Sequence, residues 1–284
     1  MLKKLSIATC TISPQLTLTF LHSILPYIVD DQIIVILDGK EYTNEDLSRF
    51  AYENGILLIT NEKNMGLSYS RNVAMEKAEN EYIIFFDDDT VLIDNVIESY
   101  KIWFEKGYDL LGGPLLLPRN YPKLPNWLPE GQSALFGIHI NQEKIWGGNF
   151  GYNLKKAKIK NILFQINLGR KDGQLQAGDD TTFIKEYCAK NHTEGLFRQE
   201  LAIEHHINPK RYTFRYLSRR TFWQGRCEIR RKSFFNGFIK EFKRNFHSNK
   251  KKYEITKFGM GAILFSYYIT GNLVEILNLA RKKI

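Results

Sequence analysis

The 284-residue sequence predicts an α/β domain, a parallel sheet covered by helices, with a helical extension behind it. Three observations carry that expectation. Short β-rich apolar runs alternate with helical patterns in the first half, two of those runs stop abruptly at carboxylates, and beyond Tyr212 the chain turns basic and aromatic, then apolar.

The elements follow in order. LSIATCTI reads as the first strand, QIIVILDG as the second, GILLIT as the third and EYIIFFDDD as the fourth, with helical patterns near 16–25, 44–54 and 70–78 between them. Strands joined through helices pair in parallel. Ligands of such sheets gather at the carboxyl ends of the strands, where Asp38 follows IIVIL and Asp87, Asp88 and Asp89 follow YIIFF. From Gly112 the chain reads GGPLLLPRNYPKLPNWLP, and Pro118, Pro122, Pro125 and Pro129 make it a long loop of the kind that forms lids or acceptor surfaces. After Tyr212 a basic, aromatic helical stretch runs to Lys252. FGMGAILFSYYITGNLVEILNLA follows, with Glu275 its only charge. Its glycines, Asn272 and Glu275 favour one or two helices packed on the domain or lying in a membrane interface over a bilayer span. The expected division is 1–215 for the α/β domain and 216–284 for the extension.

Composition narrows the class. An apolar share of 43% with 25% charged residues suits a folded soluble chain and excludes global disorder. Cys10, Cys188 and Cys227 are odd in number and widely spaced, so neither a disulfide framework nor a thiolate zinc site is expected. MLKKLSIATCTIS turns polar too early for a signal-peptide core, so the folded part is expected to stay in the cytosol. The net charge of +9 favours an acidic partner: nucleic acid, anionic lipid or a phosphorylated substrate. Acidic clusters lie before about residue 180, whereas Lys and Arg crowd 210–252.

In extended backbone Asp87 and Asp89 project to one side and Asp88 to the other, so one Mg²⁺ or Mn²⁺ can bridge the pair and a diphosphate. A solvated acidic turn capping the next helix is the alternative. Asp38 before Gly39 can hold a ribose or base, or simply form a turn. NMGLSYSRN joins Asn64 and Gly66 to a helix carrying Arg71, whose guanidinium and first amides can face a phosphate. The paired glycines before Asn149 in WGGN allow close approach to a ligand or make a turn. Asp179 and Asp180 repel each other and either can serve as a general base or cap a helix. His205 or His206 can ligate a metal. Arg219, Arg220 and Arg226, interleaved with Phe222 and Trp223, can meet a diphosphate or an acidic lipid.

Taken in this order over residues 1–226, the blocks NMGLSYSRN, FFDDDT, WGGNFGYN, AGDD, HHINPKR and RRTFWQGR resemble the family 2 glycosyltransferases. These are inverting enzymes of the GT-A fold, with a mixed, mostly parallel sheet flanked by helices. The resemblance implies that Thr9, Thr11 and Asp38 contact the nucleoside and that Asp87 and Asp89 form the Asp-x-Asp element. It also implies that Asp180 deprotonates the acceptor and that His205 contacts the metal or diphosphate. Asn64, Gly66, Arg71, Asp88, Gly148, Asn149, Arg219 and Arg226 would line the nucleotide-sugar site. Where the family often has Glu-Asp this chain has Asp179 and Asp180, so either carboxylate can reach the acceptor, with Asp180 favoured. The multiple membrane helices and Gln-x-x-Arg-Trp block of the processive synthases are not evident, which implies single transfer.

The implied cofactor is Mn²⁺ or Mg²⁺. The implied partners are a nucleotide-sugar donor, a UDP-sugar in the family's usage, and a saccharide, lipid-linked or other hydroxyl acceptor in polysaccharide or surface-glycan synthesis. An anionic membrane surface is a further partner, giving a peripheral position on the inner face; no nucleic acid is expected, and the oligomeric state is open. A metal-dependent nucleotidyltransferase is the nearest alternative, but TCTISPQ is not a Gly-rich phosphate loop. A basic membrane- or RNA-binding module without catalysis is the alternative from another class.

Overall fold

The structure is a computed structural model and describes residues 3–129, 132, 143–231, 234–246 and 255–281. The chain divides into two compact units. The first comprises Met1–Pro118, Gln142–Asp172 and Asp179–His206; the second comprises Arg119–Asn141, Gly173–Gly178 and Ile207–Ile284.

In the first unit the apolar runs become β1 (Leu5–Thr11), β2 (Gln32–Leu37), β3 (Leu57–Thr60) and β4 (Tyr82–Phe86). Between them lie α1 (Pro14–Ile24), α2 (Glu45–Glu53) and α3 (Leu67–Lys77), and α4 (Val96–Glu105) follows. Helix α1 begins at Pro14, ahead of the expected 16, because proline suits the first helical position where its missing N–H costs nothing. Side chains on successive strand residues face opposite ways. Ile33, Val35, Ile84 and Phe86 therefore enter one core with Phe20, Tyr100 and Phe104, while Ile34, Ile36, Ile83 and Phe85 enter the other with Met75, Phe150 and Phe183.

β1 pairs in parallel with both β2 and β4, and β2 with β3. The loop expected over 112–129 is shorter at its start, because β6 (Leu110–Gly112) and β7 (Leu115–Leu116) form there. β8 (Asn149–Asn153) enters antiparallel between β4 and β6, and β9 (Leu196–Phe197) completes the order β3-β2-β1-β4-β8-β6-β9. β5 (Thr90–Val91) and β7 flank β10 (Ile203–His205) in a small second sheet. Helices α5 (Leu154–Ile159) and α6 (Asp179–Asn191) complete the unit. This is the α/β architecture the sequence predicts, mostly parallel and flanked by helices.

The second unit contains α7 (Phe214–Arg230), α8 (Phe234–Phe246) and α9 (Ile255–Arg281). The apolar stretch is thus one helix of 27 residues. It meets α7 backbone to backbone: a Cβ on Gly271 would lie 2.0 Å from the Phe222 carbonyl oxygen, and one on Gly225 2.2 Å from that of Tyr268. Glu275 faces inward and binds Arg226 Nε (2.7 Å) and Arg230 Nε (2.9 Å). Burial opposes ionisation of Glu275, yet the two guanidiniums outweigh it and hold the carboxyl below its ordinary pKa.

Candidate active site

The carboxyl ends of β2, β1 and β4 lie side by side, so Asp38, Thr11 and Asp87 to Asp89 share one edge of the sheet. Thr11 Oγ1 donates to Asp88 at 2.5 Å. Thr9, two residues back on the same face, is fully buried, and its hydroxyl finds no partner among the described residues. Asp38 accepts from Asn61 Nδ2 (2.7 Å) and from the amides of Met65 (2.9 Å) and Gly66 (2.8 Å). Its charge thereby ties the end of β2 to the turn before α3. Gly66 makes that turn at φ 99°, in the left-handed region that favours glycine. Asn64 Oδ1 is buried in the same turn and finds no partner among the described residues.

His205 reaches this edge through a ladder too short to read in advance. β10 pairs antiparallel with β5, His205 opposite Thr90, and the His206 amide donates to the Asp89 carbonyl at 2.7 Å. His205 Nε2 then lies 3.1 Å from Asp89 Oδ1, both side chains buried. His206 turns instead to Glu204, 3.0 Å away.

Arg71 joins the strand-end acids to the start of α6. Only 3% exposed, it donates to Asp179 (2.8 Å), Asp87 (3.3 Å) and the Gly147 carbonyl (2.9 Å). The rings of Phe85, Phe150 and Phe164 surround its guanidinium. Burial would lower its pKa, but Asp179, Asp87 and Asp180 outweigh that and raise it. Asp180 accepts the Gly147 amide at 3.0 Å and the Thr181 amide at 2.6 Å. Burial pushes both carboxyls of the pair upward. For Asp180, Arg71 and the two amides prevail and hold it below its ordinary value, whereas Asp179 is raised by burial and the neighbouring Asp180 charge. Asp180 is therefore an ionised carboxylate at neutral pH, the form a proton acceptor requires.

The paired glycines make this convergence possible. A Cβ on Gly148 would lie 2.9 Å from Asp87 Oδ2, and one on Gly147 2.8 Å from Asp180 Cβ. Gly147, which bonds both Arg71 and Asp180, is a site residue that sequence reasoning missed, although its glycine pair signalled close approach. Asn61, the partner of Asp38, carried no such signal. Asn149 is fully buried and holds Tyr100 (2.8 Å) and the Leu201 carbonyl (2.7 Å), bracing β8 from within. Arg219 and Arg226 belong to the second unit: Arg219 donates to the Gly173 carbonyl at 3.1 Å, and Arg226 pairs with Glu275 and lies over the Trp223 ring. Among the described residues no group of three or more His, Cys, Asp or Glu side chains is gathered closely enough to hold a metal unaided.

Residues 8–155, just over half of the chain, match the glycosyl transferase family 2 pattern. The chain belongs to that family. Across 78% of its length it is 25% identical over 240 residues to the glucosyl-dolichyl phosphate glucuronosyltransferase of Haloferax volcanii, covering 75% of that protein. Among solved structures it is similar to the mannosyltransferase PcManGT of Pyrobaculum calidifontis in complex with GDP-Man and Mn²⁺. The TM-score is 0.62 at 12% identity, covering 96% of this chain and 88% of that one. S. aureus TarS 1–349 in complex with UDP gives 0.57 at 15%, with the same shares. The fold is GT-A, and this family member is a glycosyltransferase.

Proposed function

We propose that the chain is an inverting, single-transfer glycosyltransferase that moves a sugar from a UDP-sugar to a hydroxyl of a saccharide or lipid-linked acceptor, in polysaccharide or surface-glycan synthesis. The observation that carries this reading is the meeting of Asp87, Asp89 and His205 with the Asp179–Asp180 pair at the carboxyl edge of a parallel sheet. The UDP bound to TarS supports the donor class, and the lipid-linked sugar in the name of the Haloferax relative supports the acceptor class.

The donor types at this edge suit a divalent cation that a bound diphosphate helps to hold, since the described residues do not gather three such ligands unaided. Asp87 and Asp89 offer hard oxygen ligands and His205 an imidazole, a set that suits Mn²⁺ or Mg²⁺ once diphosphate oxygens complete the shell. Among the described residues of this edge, Asp87, Asp179 and Asp180 outnumber the one buried guanidinium, Arg71. When bound, the ion would neutralise charge on the departing diphosphate. The protein's own part is positional. Thr9, Thr11, Asp38, Asn64, Gly66 and Asp88 line or brace the nucleotide end, Gly148 leaves room beside Asp87, and Asp180 takes the acceptor's proton. Attack from the face opposite the leaving group inverts the anomeric centre.

Isothermal calorimetry with UDP, with and without Mn²⁺, tests the donor site. Wild type should bind UDP in a metal-dependent manner and Asp89→Ala should lose most of that affinity, a change of about tenfold or more. Equal binding by the variant would remove Asp89 from the metal site.

The membrane reading rests on α9. Between Gly259 and Ala280 the only charge is Glu275, which faces inward, while Ile263, Tyr267, Leu273, Ile276 and Leu277 are exposed. The stretch is long and apolar enough to cross a bilayer, but the inward Asn272 and Glu275 favour a peripheral position on the cytoplasmic face. On α8, exposed Lys240 and Lys243 flank Ile239 and Phe242, the pairing of basic and apolar groups that anionic lipid attracts. Co-sedimentation with phosphatidylglycerol vesicles should fall about tenfold or more in a Leu273→Glu, Leu277→Glu double variant. Undiminished binding would rule out this face.

A further inference from the structure

The basic helix α7 does something that neither its charge nor the family membership assigns. Its arginines converge on the short segment 173–178. Arg220 Nη1 donates to the carbonyls of Leu175 (2.6 Å) and Gln176 (2.8 Å), and Arg219 to that of Gly173 (3.1 Å). Arg230 donates to Gln176 Oε1 at 3.0 Å, and the Ala177 amide donates to Cys227 Sγ at 3.4 Å. Gly178, at φ 97°, lies so close to Arg231 that a Cβ there would stand 2.3 Å from the guanidinium. Gln174 and Gln176 close the segment on themselves through a 2.6 Å bond.

This segment belongs to no helix or strand, and its composition, GQLQAG, is that of a mobile surface loop. Charge-assisted hydrogen bonds from guanidinium to carbonyl are the stronger kind, and several of them remove that mobility. The clamp is itself clamped, since Glu275 of α9 accepts from Arg230 at 2.9 and 3.1 Å and from Arg226 at 2.7 Å. The next residues in the chain after Gly178 are Asp179 and Asp180, which open α6.

We infer that Arg220 and Arg230 are positioning residues for the catalytic carboxylates, acting through residues 173–178. The inference rests on the reading of Asp180 as the base. Gly178 is bonded directly to Asp179, so holding it restrains the backbone from which α6 and the Asp180 carboxylate start. Misplacement of a reacting group by an ångström costs about 10²-fold in rate. The alternative for basic residues in such an enzyme is direct contact with the donor diphosphate, and the two roles separate kinetically. A diphosphate contact raises donor KM and weakens UDP binding, whereas a positioning contact lowers kcat and leaves both alone.

The test compares Arg220→Met, Arg220→Lys and Glu275→Gln with wild type in the full chain. Hydrogen–deuterium exchange is read at 173–180, and nucleoside diphosphate release is read from UDP-glucose, UDP-N-acetylglucosamine and GDP-mannose. Arg220→Met should exchange faster at 173–180 but not in β1 or β4, and should lose about 10- to 100-fold in kcat at unchanged KM and UDP affinity. Arg220→Lys, which keeps one charged donor, should recover part of that loss. Glu275→Gln should show a weaker version of the same pattern, and it carries the test if Arg220→Met fails to fold. Unchanged exchange at 173–180 overturns the clamp for any donor, as does faster exchange at full kcat or a fall in UDP affinity matching the fall in rate. Asp180→Asn separates the two readings. If it turns over like wild type, the base assignment fails; if it is inactive while Arg220→Met is fully active, only the clamp fails.

Discussion

The first unit and the second each bury an arginine–carboxylate network, and the two have opposite stoichiometry. At the sheet edge one guanidinium, Arg71, serves Asp179 and Asp87 with Asp180 close by. In the helical unit one carboxylate, Glu275, serves Arg226 and Arg230. The pKa directions differ within and between the two networks. Asp179 is raised by burial and by the Asp180 charge despite Arg71. Against burial, Arg71 and two backbone amides hold Asp180 down, and Arg230 and Arg226 hold Glu275 down. At the sheet edge Asp87 and Asp179 share the Arg71 cation, an arrangement that suits the divalent ion proposed above. In the helical unit Arg219 and Arg220 also donate to the carbonyls of Gly173, Leu175 and Gln176. On the proposals above the two networks differ in use: one would prepare a site, the other would stiffen a scaffold.

The largest effect expected from breaking this contrast is at Arg71. Arg71→Met keeps an apolar stem among Phe85, Phe150 and Phe164 but leaves the buried Asp179 without its cation, a loss of about 3–5 kcal/mol in unfolding free energy at neutral pH. The sign with pH is set by Asp179. Its folded pKa is already above the unfolded one and rises further without Arg71, so the ionised form is the destabilised one. The deficit should shrink as pH falls and Asp179 takes up a proton. Urea denaturation at neutral and mildly acidic pH checks this, and a deficit that grows on acidification would contradict it.

That contrast also separates what was readable in the sequence from what was not. The short apolar runs that became β1 to β4 are local signals, as is the sudden stop of YIIFF at Asp87, so the sheet and its acidic edge were legible. Partnership across the chain was not. Asp179 lies 108 positions from Arg71, and nothing near either residue names the other. β5 and β10 are two- and three-residue strands, too short to carry a pattern, yet they bring His205 to Asp89. Glu275 reads as an interruption in an apolar stretch because its partners stand 45 and 49 residues away on another helix. Arg219 and Arg226, read by charge, point to a diphosphate or an acidic lipid; in the structure they also engage Gly173 and Glu275, contacts visible only once α7 meets the 173–178 segment and α9.

The smaller effect is at Glu275, and its pH dependence should run the other way. Glu275→Gln preserves size but removes the charge shared by two guanidiniums that are themselves partly exposed, at 16% and 15%, so solvent offsets part of the loss. A cost of about 2–3 kcal/mol is expected, the range for hydrogen bonds to a charged group. Because the folded pKa is depressed below the ordinary 4.5, the contribution is fully present above that value and is lost as pH falls through the lowered one. Wild type and variant should therefore differ most at neutral pH and converge in acid. For Arg71→Met the gap also narrows in acid, but there the variant gains stability by protonation, whereas here the wild type loses it. Thermal unfolding from pH 7 downward distinguishes the two: a wild type that keeps its advantage over Glu275→Gln at the lowest pH would mean that shape rather than charge holds α9 to α7.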